Sequence, residues 1–203
     1  MPGGRVTIAC VTEGHGEVRA LPKLLHHIAQ EHKIWNPDVP EPFRRNRGTL
    51  IVPGGIEQAV QAQARRVASD GGVLVLIDAD DDRPAELGPH LLGRARQARS
   101  DIPVSVVLAN REFEAWFLAA APSLAGHCVL EEVAVPDDPE QIRGAKEWLS
   151  RQRTDGGRYS PTVDQAVLAS HFDMKMARAG SPSFDKFCRE IEVLLGIDPG
   201  EQV

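Results

Sequence analysis

Val73-Leu74-Val75-Leu76-Ile77 is an unbroken apolar run that ends on an aspartate. A strand with one wet face alternates apolar and polar side chains. One this uniformly apolar must be covered on both faces, as in a parallel sheet between two helical layers. Similar short runs recur at 5–12, 49–52 and 103–108, and helical periodicity separates them. Residues 16–32 carry Val18, Leu21, Leu24, Leu25 and Ile28 on one helical face, and 55–69 carry Ile56, Val60, Ala64 and Val67. Further helices are expected over 84–99 and 111–121. The pattern predicts βαβ units in an α/β fold, with an open parallel sheet of about four strands flanked by helices. Beyond 122 the chain changes character, with Pro122, Pro136, Pro139 and Pro161 and no convincing strand. Helices are expected over 139–152, 162–170 and 183–196. The expected organisation is therefore an α/β core over 1–122 with a helical C-terminal extension, 123–203, packed on it.

Two acidic clusters fall where strands should end. Glu13 and Glu17 lie in Glu13-Gly14-His15-Gly16-Glu17 after the first run, and Asp78-Ala79-Asp80-Asp81-Asp82 follows the third. In open parallel sheets ligands bind beyond the carboxyl ends of the strands, so both clusters, and Arg111-Glu112-Phe113-Glu114 after the fourth run, belong on one edge. Asp78 and Asp80 are two apart and would point the same way in extended backbone. Gly14 and Gly16 permit a tight strand-to-helix turn that draws Glu13 and Glu17 together. Crowded carboxylates repel and take up protons unless a cation holds them. Oxygen-only ligands point to Mg2+ or Mn2+. Glu114 is the expected fifth acid, because a helix starting near 112 would leave Glu112 as a first-turn or solvent-facing residue.

The net charge of −6 equals the six carboxylates of these clusters, so the rest of the chain is formally neutral and a phosphate-bearing substrate is not excluded. Arg44, Arg45 and Arg47 suit phosphate contact. The stretch 143–158 holds Arg143, Lys146, Arg151, Arg153 and Arg158 interleaved with Trp148 and Tyr159, a pattern that can track a nucleic-acid backbone or, for the aromatics, belong to the core. Three scattered cysteines, Cys10, Cys128 and Cys188, read as reduced thiols of a cytoplasmic protein, with Cys10 in the core. No apolar run approaches the roughly 18 residues that span a bilayer, and the N-terminus lacks the layout of a signal peptide.

A glutamate after the first strand and an Asp-x-Asp after the third, here Glu13 and Asp78-Ala79-Asp80, resemble the Toprim fold of topoisomerases, primases, OLD (overcoming lysogenisation defect) nucleases and ribosomal-RNA maturases. Glu17 makes the pattern more similar to the OLD nucleases. With Arg44-Arg45-Asn46-Arg47, Arg111-Glu112-Phe113-Glu114-Ala115-Trp116-Phe117 and Ser183-Phe184-Asp185-Lys186-Phe187, nearly the whole chain resembles a family of uncharacterised bacterial Toprim-like proteins, DUF family 4276. The resemblance implies a Toprim-like core and a metal-dependent nuclease. Glu13, Glu17, Asp78, Asp80 and Glu114 would bind metal, with Glu13 as ligand or general acid/base. A lysine beyond the sheet is also implied. Lys146, Lys175 and Lys186 are the candidates, spacing does not choose among them, and Lys146 is taken as the catalytic expectation. Arg44, Arg45, Arg47, Arg111, Arg151 and Arg153 are the expected nucleic-acid contacts, to DNA or RNA. An ATPase partner, in defence against foreign DNA, is implied by the resemblance alone.

Other readings remain open. One is a non-catalytic Toprim-like module that binds nucleic acid or protein, and another is an RNA-maturation nuclease. A receiver-type phosphotransfer domain fits poorly, because it wants the acidic pair after the first strand and a lone aspartate after the third. Topoisomerase chemistry needs a tyrosine nucleophile, and the chain's single tyrosine, Tyr159, lies in a Gly-rich loop.

Overall fold

A computed structural model describes residues 5–68 and 70–197. Strands β1 (Thr7–Thr12), β2 (Phe43–Arg44), β3 (Gly71–Asp78) and β4 (Val104–Ala109) form one sheet in the order β2-β1-β3-β4, parallel throughout. Every residue of β1 and β4 is buried, as the uninterrupted apolar runs require. Side chains alternate between two cores. Ile8, Cys10, Leu74, Leu76 and Val107 face one, and Ala9, Val11, Val73, Val75, Ile77 and Val106 face the other.

Helix α1 (Glu17–Glu31) covers the first face, burying Leu21, Leu24, Leu25 and Ile28 at the helical spacing read from the sequence. The expected strand at 49–52 is instead helix α2 (Arg47–Ile51). Asn46 caps it, its Oδ1 accepting from Thr49 N at 2.9 Å and Thr49 Oγ1 at 2.7 Å, and that cap outweighs the β preference of a short branched run. The second strand is two residues at Phe43–Arg44, inside the arginine-rich stretch. Helices α3 (Gly55–Ala64) and α4 (Pro84–Ala98) cover the second face.

The helix expected over 111–121 shrinks to α5 (Ala115–Leu118), followed by a 3-10 turn at Ala121–Leu124 that carries Pro122 near its start. The helix expected over 139–152 splits into a 3-10 turn, Pro139–Gln141, and α6 (Ala145–Arg151), parted at left-handed Gly144 with φ +74°. Helices α7 (Pro161–Leu168) and α9 (Pro182–Leu194) match the sequence reading. Helix α8 (Met174–Gly180) does not appear in it; Asp173 caps it by accepting from Lys175 N and Met176 N. The C-terminal helices share the first core. Trp116 and Phe117, fully buried as expected, pack in tilted and edge-to-face contacts with Phe113, Phe172, Phe184 and Phe187, and Trp116 Nε1 donates to Ser183 Oγ at 2.8 Å.

The chain leaves β1 for β2 on one side, then crosses back to β3 on the other. The crevice at such a reversal, beyond the carboxyl ends of β1 and β3, is where open α/β sheets bind ligands.

Candidate active site

Carboxylates from three strand ends converge on that crevice. Glu13 and Glu17 follow β1, Asp78 closes β3, and Glu112 and Glu114 follow β4. Glu17 Oε2 accepts from Glu13 N at 3.1 Å, so the Gly14–Gly16 turn folds the two glutamates together. Gly16 has to be glycine: a Cβ there would sit 2.0 Å from Gln165 Oε1 and 2.5 Å from Pro161 O. Asp78 Oδ1 accepts from Phe113 N at 2.8 Å, tying the end of β3 to the segment after β4.

The C-terminal helices hold the β4 glutamates. Glu114 is 1% exposed; its Oε1 accepts from Tyr159 Oη at 3.1 Å and Gln165 Nε2 at 3.3 Å, and its Oε2 lies 3.0 Å from Lys146 Nζ. Glu112 accepts from Ala145 N at 2.7 Å and Lys146 Nζ at 2.6 Å, so it is a partner of α6 and neither the first-turn nor the solvent-facing residue expected. The helix expected from 112 starts at 115, and residues 110–114 loop both glutamates inward toward α6. Of the three candidate lysines, Lys146 stands among the acids, whereas Lys186 pairs with Glu190.

The crowding shows in the acidities. Burial, then the charges of Glu114 and Glu13, lift Glu17 to about 7 despite hydrogen bonds from the Gly14 and Glu13 backbone. Burial, then Glu17 and Glu114, push Asp78 well above the usual carboxylate range, with Lys146 opposing. Burial raises Glu114 against the pull of Lys146, and burial raises Glu13. Burial disfavours the Lys146 ammonium, but Glu114 and Glu112 outweigh it and the pKa rises.

The remaining acids of the second cluster stand apart. Asp80 is not in extended backbone; it takes φ +51°, its side chain is 61% exposed, and it pairs with Arg47 at 3.5 Å instead of pointing alongside Asp78. Asp82 also pairs with Arg47, whose guanidinium donates to Asp78 O and Ala79 O as well, so Arg47 clamps the β3–α4 loop. Asp81 pairs with Arg111 and Arg143. Arg44 reaches Glu13 O at 3.5 Å and Arg45 lies over the Phe43 ring. Arg153 is committed to Asp155 and Asp164, and Arg151 is exposed. Tyr159 is buried on Glu114, which removes it from any base-stacking surface, and Trp148 packs against the core. His15 is exposed between its glycines.

Among the described residues no three His, Cys, Asp or Glu side chains are arranged as a ready ligand set. The donor chemistry nevertheless suits a hard divalent cation: every candidate donor is oxygen, the carboxylates are crowded, and Glu13 Oε2 is buried without a hydrogen-bond partner. Glu13, Glu17, Asp78 and Glu114 are the residues that would hold one.

A family model, Domain of unknown function (DUF4276), matches residues 12–192. The chain belongs to that family. No curated protein and no solved structure matches it. The span shared with the DUF4276 family contains the whole acidic site and its C-terminal clamp, from Glu13 to Gln165. Gln165 has no sequence signal of its own, being one polar residue on a short helix. Tyr159 has a weak one, as the lone tyrosine of a Gly-rich segment. Among the described residues, no helix is long and apolar enough to cross a membrane.

Proposed function

We propose that this chain is a Toprim-type, metal-dependent phosphodiesterase acting on nucleic acid. The reading is carried by one observation: Glu13, Glu17 and Glu114 crowd Asp78 in a single crevice beside the Lys146 ammonium, where burial raises the pKa of all four acids. Magnesium or manganese, when bound, supplies a water of lowered pKa and a counter-charge for a phosphoryl oxygen. Glu17, Asp78 and Glu114 hold the ion. Glu13, half-buried with a free oxygen, takes the proton of an attacking water or adds a ligand. Lys146 donates to the phosphate, stabilising charge that develops on it. Asp80 joins the set only by leaving Arg47.

Labelled DNA and RNA incubated with manganese or magnesium, beside a double Asp78→Ala, Asp80→Ala variant, test the assignment. Cleavage by the wild type and none by the variant is expected; cleavage surviving in the variant sinks it. One observation favours a second reading, a nucleic-acid-binding module without chemistry: Lys146 already pairs with both Glu112 and Glu114 and offsets part of their charge. Metal binding with no cleavage of either substrate selects that module.

A further inference from the structure

Beside the carboxylates lies a cleft of about 410 Å³ whose lining includes Asp78, Glu112, Arg111, Arg143 and Lys146. In it, one carboxylate oxygen is shared by two guanidiniums. Asp81 Oδ1 lies 2.7 Å from Arg143 Nη1 and 3.3 Å from Arg111 Nη1. The three residues come from three separate segments: the β3–α4 loop, the β4–α5 loop and the turn before α6.

The backbone around it sets this apart from an ordinary surface ion pair. Arg111 is a non-glycine residue in left-handed backbone, φ +56°, and so is Asp80, φ +51°. Asp80 N donates to Arg111 O at 2.9 Å, so the two strained residues brace each other at the cleft. Such strain persists only where the surroundings over-determine it, and it concentrates at functional sites. The side chain of Asp81, in contrast, is 74% exposed. An exposed carboxylate is held weakly and gives way to a better ligand. Arg143 is likewise 70% exposed, and Arg111 is 25% exposed. Paired guanidiniums favour phosphate, whose oxygens accept two forks at once.

We propose that Arg111 and Arg143 form a phosphate subsite for a nucleic-acid strand, in which Asp81 stands in for the phosphate until the strand displaces it. The subsite rests on the phosphodiesterase reading, because it places a second phosphate of the same strand beside the acidic centre. Lys146 stands between the two, in the cleft and on Glu114.

Fluorescence anisotropy with a labelled thymidine hexanucleotide, in EDTA and again with calcium, tests it without requiring hydrolysis. Asp81→Ala is expected to tighten binding about threefold, the range of an exposed ion pair. Arg111→Ala and Arg143→Ala should each weaken it about tenfold, as for a lost charged hydrogen bond. In the Arg111→Ala, Arg143→Ala background, Asp81→Ala should no longer tighten binding, which separates displacement from a general loss of negative charge. The proposal is overturned if Asp81→Ala leaves affinity unchanged or lower, if its gain survives without the arginines, or if the wild type binds no strand in either condition. Inorganic phosphate that displaces the strand at equal concentration overturns the assignment to a strand. Lack of cleavage in manganese, with this binding pattern intact, sinks the phosphodiesterase reading and leaves the subsite supported.

Discussion

Lys146 Nζ lies 3.0 Å from Glu114 Oε2, so a helix of the C-terminal region supplies the counter-charge for a glutamate delivered by the sheet. Lys146→Met removes that charge and leaves Glu114, 1% exposed, with only neutral donors. Removing one partner of a buried pair is strongly destabilising, but Lys146 is 38% exposed and solvent screens part of the loss. The expected cost at pH 8 is about 1–2 kcal/mol after that discount. It should shrink at pH 5, where Glu114, its pKa raised, carries less charge. Urea unfolding at the two pH values measures both; an equal loss at each would show that Lys146 acts through packing.

Glu17 gives stability a pH dependence of unusual sign for a carboxylate. Its pKa rises from 4.5 to about 7 on folding, so the folded state binds the proton more tightly. The resulting stabilisation is complete below the unfolded value and is lost as pH climbs through about 7. Metal-free protein should therefore melt lower at pH 8 than at pH 5, and Glu17→Gln should flatten that slope. At pH 8 the variant should melt higher than wild type by on the order of 5 °C. Manganese should raise the wild-type melting temperature at pH 8 and much less at pH 5, where protons compete for the same oxygens. Scanning calorimetry at both pH values, with and without manganese, checks each expectation.

Much of this site is visible along the chain, because strand ends are. Uniformly apolar runs mark β1, β3 and β4, and a parallel sheet puts their carboxyl ends on one edge, so Glu13, Glu17, Asp78 and Glu114 meet as read. Two kinds of information are not local. Asn46 turns Thr49-Leu50-Ile51 into helix with one side-chain cap, and that moves the second strand into the arginine stretch. The clamp on Glu114 depends on how α6 and α7 dock, and nothing in the spacing of Lys146, Tyr159 and Gln165 announces that they share a partner. Asp80 shows the same limit. Strand parity would align it with Asp78, but the strand ends at Asp78 and the left-handed turn swings it to Arg47.

Glycine substitutions separate packing from helix propensity. Gly16→Ala drives a Cβ to 2.0 Å from Gln165 Oε1 and 2.5 Å from Pro161 O; the side chain can move, but the backbone carbonyl of α7 cannot without shifting the helix. A loss of about 1–3 kcal/mol is expected, the range of overpacking. Gly93, inside α4, has nothing within 4 Å of an added Cβ. Gly93→Ala should stabilise by about 0.5–1 kcal/mol through helix propensity. Chemical denaturation of the two variants tests the contrast, and a neutral Gly16→Ala would mean that α7 does not dock on the Gly14–Gly16 turn.

Tyr159 separates holding a ligand from holding the fold. Its hydroxyl donates to Glu114 Oε1 at 3.1 Å, and the ring is 7% exposed in the core shared with Phe117 and Phe172. Tyr159→Phe keeps the ring and removes the donor, leaving Oε1 with the longer bond from Gln165. Hydrogen bonds to charged groups contribute about 1.5–3 kcal/mol, so stability at pH 8 should fall by roughly the lower figure. If Glu114 is a metal ligand, its freer carboxylate should also bind manganese several-fold more weakly by titration calorimetry. Gln165→Leu should act in the same direction and less strongly, since its bond is longer. Manganese affinity unchanged in both variants, with stability lowered, would confine these two residues to a structural role and remove Glu114 from the metal set.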